Sequence, residues 1–101
     1  MIRHKYSAVR TETDGIKFSS KKEAAYYGKL KLRKQSGEVI QFLMQVPFHL
    51  PGGAKYVVDF LEFHEGGTVH AVDVKGMTTP MFILKRKLVE ELYAPIKIET
   101  V

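Results

Sequence analysis

Lys55-Tyr56-Val57-Val58-Asp59-Phe60-Leu61-Glu62-Phe63-His64 and, after Glu65-Gly66-Gly67, Thr68-Val69-His70-Ala71-Val72-Asp73-Val74-Lys75 decide how this chain folds. Both stretches are rich in β-branched and aromatic residues, which pack well on a pleated surface. The glycine pair between them allows only a tight connection, so residues 55–63 and 68–75 are predicted to be antiparallel strands of one hairpin.

Upstream, residues 39–50 form a third apolar, β-branched run interrupted by Pro47, which predicts a strand with a bend or bulge. Pro51-Gly52-Gly53 is a strong turn, so this strand also pairs antiparallel with the next. Further upstream, Ser20-Lys21-Lys22-Glu23 has the spacing of a capping box, and Ala24, Tyr27 and Leu30 recur at helical spacing. A helix to about Gln35 follows, closed by Ser36-Gly37. Downstream, Thr79-Pro80 is a helix start, and Met81, Leu84, Leu88 and Leu92 repeat as the stripe of an amphipathic helix. Ala94-Pro95 ends it, and Ile96-Lys97-Ile98-Glu99 alternates as a last short strand. A strand, a helix and a strand in succession predict a right-handed parallel crossover. The expected fold is therefore α/β, in the order α-β-β-β-α-β, with a mixed sheet flanked by helices. Residues 1–18 are polar and basic, with Asp14-Gly15 as a turn signal, and read as an arm ahead of a domain at 19–101.

The chain has 101 residues, a length suited to one domain, with 45% hydrophobic and 27% charged residues. It contains no cysteine, which excludes a disulfide framework, a thiolate zinc site and a cysteine nucleophile. His4, His49, His64 and His70 show no ligand spacing, so a histidine metal site is not expected. The opening Met1-Ile2-Arg3-His4-Lys5-Tyr6 lacks the apolar run of a secretory leader, and no stretch approaches the roughly 20 apolar residues of a membrane span. The net charge is +5 with a pI near 9.5, which favours a polyanionic partner. Lys21, Lys22, Lys29, Lys31, Arg33 and Lys34 crowd one segment, and Lys85, Arg86 and Lys87 another. Lys21, Lys22, Lys85, Arg86 and Lys87 are the candidate phosphate contacts. The alternative for the second group is a solvated helix face with an Arg86–Glu90 pair.

Within the central hairpin, Asp59 and the pair Asp73 and Lys75 interrupt otherwise apolar strands. Strand alternation puts Asp73 and Lys75 on one face, about 6–7 Å apart. Charges in such strands are costly unless paired or bound to a metal. A buried Asp–Lys salt bridge would explain one carboxylate and leave the second over. Two carboxylates on adjacent strands offer hard oxygen ligands for Mg²⁺ or Mn²⁺, and a lysine beside them can offset charge growing on a phosphate.

Asp59, thirteen residues, then Asp73-Val74-Lys75 resembles the signature of the PD-(D/E)XK nuclease superfamily. Phe18-Ser19-Ser20-Lys21-Lys22-Glu23, Gln45-Val46-Pro47-Phe48, Tyr56-Val57-Val58-Asp59-Phe60 and Val72-Asp73-Val74-Lys75-Gly76 are similar to a family of small phage-encoded proteins within it. The resemblance implies a restriction-endonuclease-like core and a divalent-metal-dependent DNA endonuclease. It also implies Asp59, Asp73 and Glu23 as metal ligands, with Lys75 as the catalytic lysine. Val58 stands where the superfamily usually has proline, and Asp73 where glutamate is more frequent. Glu23 has a second explanation in the capping box, and Gln45 either bonds a water or phosphate at the site or is a satisfied strand residue. The resemblance further implies branched or Holliday-junction DNA as substrate, a homodimer, and action in a host cytoplasm. The competing expectations are an inactive nucleic-acid-binding module or a structural phage DNA-binding protein on the same fold.

Overall fold

A computed structural model describes residues 11–75 and 77–101. Of the arm expected at 1–18, residues 1–10 lie outside the described residues. Residues 11–18 form a small antiparallel hairpin, β1 (Thr11–Thr13) and β2 (Ile16–Phe18), turned by Asp14 and Gly15 at φ 54° and 76°. Its last residue, Phe18, is buried against the Tyr27 ring at 5.1 Å.

Helix α1 (Lys21–Gln35) begins where the capping box places it, with the Ser20 side chain accepting from the Glu23 amide. Its inward face is Glu23, Ala24, Tyr27 and Leu30. β3 (Val39–His49) and β4 (Lys55–His64) pair antiparallel around a short 3-10 turn at Pro51–Gly53, and β5 (Val69–Asp73) returns antiparallel to β4. α2 (Pro80–Leu92) then crosses over to β6 (Ile98–Thr100), which lies parallel to β5. The larger sheet has the order β3-β4-β5-β6, so the expected α/β class, element order and parallel crossover are all present. Among the described residues no helix is long and apolar enough to cross a membrane.

Two cores cover this sheet. Phe18, Ala24, Tyr27, Leu30, Val39, Phe60 and Val72 form one with α1; Phe48, Tyr56, Val58, Ala71, Phe82, Val89 and Ile98 are among those forming the other with α2. In a regular strand residues two apart share a face. Val58 and Phe60 nevertheless belong to different cores, as do Val46 and Met44 on the neighbouring strand. The β3–β4 pair therefore exchanges its faces at Asp59 and Gln45. Gln45 has φ 55°, a left-handed conformation uncommon for a side chain of this kind, and it supplies the local reversal. Asp59 at the exchange point enters neither core.

The stripe expected to bury α2 is not the one that does. Phe82 and Val89 are buried, whereas Met81, Leu84 and Leu92 are exposed and Leu88 is only partly covered. At about 100° per residue, Phe82 and Val89 lie a quarter turn or more around the helix from the leucine stripe. Docking against Tyr56 and Ala71 selects the aromatic and β-branched pair, which sequence periodicity alone ranks below the longer leucine repeat.

Candidate functional site

Asp59 leaves the core faces between β3 and β5, and its carboxylate is held at both oxygens. Oδ2 accepts from the Val74 amide at 2.9 Å, and Oδ1 accepts from Gln45 Nε2 at 3.3 Å. The Asp59 amide in turn donates to Asp73 Oδ1 at 2.9 Å. This reciprocal exchange occurs where the β4–β5 ladder ends, so carboxylates replace the missing backbone partners. Asp73 is only 1% exposed, and its Oδ2 is buried with no hydrogen-bond partner. Burial pushes its pKa up, and the Asp59 amide and the Lys75 charge offset part of that rise.

Glu23 comes from the first turn of α1 on the opposite side of Asp59. Its amide satisfies Ser20, but its carboxylate accepts from Ser19 Oγ at 3.2 Å, so the capping box accounts for only half of this residue. Burial raises the Glu23 pKa first, and the facing Asp59 carboxylate raises it further. The two acids line one cleft of about 270 Å³, together with Gln45, Ser19 and Lys17.

Lys75 is not in that cleft. Its Nζ stands 4.6 Å from the centre of the Phe82 ring, a cation–π position, and the residue lines a neighbouring hollow with Lys22 and Thr78. Among the described residues Lys75 makes no ion pair with Asp59 or Asp73, so the buried Asp–Lys salt bridge is not what occupies these strands. Lys22 Nζ donates to the Lys75 carbonyl at 3.2 Å, which brings one predicted phosphate contact beside the site. Lys21 and Lys87 are exposed. Lys85 donates to the Lys55 carbonyl at 3.3 Å, at the start of β4. Arg86 pairs with Glu90 at 3.3 Å, and Glu90 accepts from the Ile98 amide at 2.9 Å. That is the alternative foreseen for Arg86, and it ties α2 to β6.

The structure thus unites Glu23, Gln45 and Asp59 in one cleft and sets Asp73 directly behind them. Lys75 and Lys22 flank the group. Lys17 was not foreseen; only the Asp14-Gly15 turn hinted that its segment folds back over α1. Among the described residues no three His, Cys, Asp or Glu side chains form a ready-made metal-binding group. The Asp73 Oδ2 atom still matches what a hard cation requires, an oxygen donor lacking a proton-donating partner, whereas Asp59 and Glu23 already accept hydrogen bonds.

No curated protein and no solved structure matches the chain. One family model matches residues 3–101, nearly the whole sequence. The chain belongs to that family, DUF1064, described as a protein of unknown function.

Proposed function

We propose that this protein is a divalent-metal-dependent endodeoxyribonuclease of the PD-(D/E)XK kind, with Asp59, Asp73 and Glu23 as cation ligands and Lys75 and Gln45 as assisting groups. The observation that carries the reading is Asp73 Oδ2, a buried carboxylate oxygen with no partner, on a residue bonded to Asp59, which in turn faces Glu23. A protein retains such a costly arrangement when a ligand completes it.

A bound Mg²⁺ or Mn²⁺ would supply Lewis-acid polarisation of a phosphate and a water of lowered pKa. The chain's own groups do the rest. The Val74 amide and Gln45 hold the Asp59 carboxylate in place, and the Asp59 amide holds Asp73, so neither acid needs to reorganise on binding. Lys75, swung from the Phe82 ring, places its charge against the departing phosphate oxygen. Lys17, Lys21 and Lys22 follow the phosphates on either side, which makes binding fall steeply with salt. By analogy with the resembling family, the proposed substrate is branched DNA, including Holliday junctions, in phage recombination or replication in the host cytoplasm. Two chains would address its opposite strands.

The second reading is a binding module on the same fold without catalysis. It is favoured by Lys75 resting on Phe82 and by the lack of a ready-made three-ligand group among the described residues. Linear, nicked, single-stranded and four-way-junction DNA, each incubated with Mg²⁺, Mn²⁺ or chelator, separates the two. The nuclease reading expects metal-dependent cleavage by the wild type that Asp59→Asn and Lys75→Ala abolish, and Mn²⁺ raising the melting temperature of wild type but not of Asp59→Asn. Intact DNA in every metal, with equal binding by all three proteins, supports the binding module.

A further inference from the structure

α2 exposes more large apolar side chains than any other described element: Met81, Ile83, Leu84 and Leu92. Met81, Leu84 and Leu92 fall within about 40° of Leu88 on the helix surface, forming one stripe beside the buried Phe82–Val89 face. A contiguous apolar stripe on a small soluble domain marks a contact surface. The flanking charges say what it contacts. Lys87 and Glu91 are exposed on the same side of the stripe, one turn apart. Among the described residues they form no ion pair with each other.

We infer that this face docks a second copy of the same chain, with the two α2 helices antiparallel about a two-fold axis near Leu88. In an antiparallel pair, equivalent flanks of the two helices meet. Lys87 then faces Glu91 of the partner subunit, twice by symmetry, and Leu84 packs against Leu92 of the partner subunit. A parallel pair would bring the Lys87–Glu91 flank against the opposite one and leave these charges unmatched. The pattern is self-complementary, so it selects this chain over an unrelated partner. A single helix pair is a small interface, so a weak, concentration-dependent dimer is expected, with dissociation on the order of 10 μM. The inference does not depend on the nuclease reading; an inactive chain would pair in the same way.

Sedimentation velocity of the full chain over about 1–300 μM tests it. The wild type should pass from monomer to dimer with concentration. Leu84→Glu, at an exposed position, should weaken the dimer by at least about 100-fold with an unchanged circular dichroism spectrum. Lys87→Glu and Glu91→Lys should each weaken it about tenfold, and the double reversal should restore it to within about threefold. A monomer at every concentration overturns the inference, as does a dimer indifferent to Leu84→Glu. Failure of the double reversal to recover overturns the antiparallel arrangement.

Discussion

Two carboxylates on adjacent strands of one sheet are each 1% exposed, yet they live in opposite circumstances. Glu62, three residues beyond Asp59 on β4, accepts from the Tyr26 hydroxyl, meets His64 Nε2 at 2.8 Å and stands 3.7 Å from Arg33. Burial and the Glu62 charge drive the Tyr26 pKa well above its usual value, which keeps that hydroxyl a donor. His64 stacks on His70 at 4.1 Å, and His70 in turn meets Glu99 at 2.6 Å. Asp73 has one amide at Oδ1 and nothing at Oδ2. Burial of a charge is thus satisfied internally at one end of the sheet and left open at the other. A closed network serves the fold; the open one is where, on the proposed reading, a cation would bind.

The comparison breaks if both acids behave alike. The largest contrast is catalytic: on the proposed nuclease reading, Asp73→Asn should lower cleavage by at least about 1,000-fold in a gel assay, and Glu62→Gln should leave it within about threefold. Next is stability. Glu62→Ala strands Tyr26, His64 and Arg33 and should cost about 3 kcal/mol in urea unfolding. Asp73→Asn should instead raise Tm, by about 4 °C at neutral pH, the shift that about 1 kcal/mol produces in a domain of this size. The sign follows from the raised pKa of Asp73. Its folded carboxyl holds a proton more readily than the unfolded one, so the penalty appears as pH rises through the folded value. The gap between variant and wild type should therefore close as pH falls towards the ordinary value of 3.8.

Glu90 sharpens the contrast from the opposite sign. Burial pushes its pKa up, but the Ile98 amide and Arg86 outweigh this and hold it below the ordinary value. Its contribution is present above about 4.5 and lost as pH falls through the folded value. Glu90→Gln should cost about 1 kcal/mol at neutral pH, with the difference vanishing in acid melts. The smallest effect belongs to the face exchange. Gln45→Gly should relieve the left-handed backbone and gain about 0.5 kcal/mol, while on the proposed nuclease reading cleavage falls because Asp59 loses its Nε2 partner. A stability loss at this position would show that the Gln45 side chain matters more to the fold than its strained backbone.

Much of this was legible in residue order. Ser20 and Glu23 located the start of α1, the Gly66-Gly67 turn set the β4–β5 pairing, and Thr79-Pro80 opened α2 where it begins. The acids were visible because charge interrupts apolar strands at Asp59 and Asp73. The rotation of α2 was not legible, since two apolar stripes compete on it and only the shape of the sheet decides between them. Nor was the reversal at Gln45, because glutamine carries no mark of a left-handed conformation. Alternation predicted that Lys75 shares a face with Asp73, but its rest on Phe82, outside the Glu23–Asp59 cleft, depends on a helix that periodicity had turned differently.

By itself, then, the sequence determined the elements from α1 onward, their pairing directions and the residues at which charge enters the sheet, but not the β1–β2 hairpin, where it gave only an arm. These follow from capping, turn chemistry and periods of 2 and 3.6, all set by neighbours along the chain. Only the tertiary structure decided which buried acid is closed and which is open. Hydrogen-bond satisfaction depends on side chains brought together by strand register and helix rotation. Tyr26 and Arg33 reach Glu62 from α1, while no donor from any described element reaches Asp73 Oδ2.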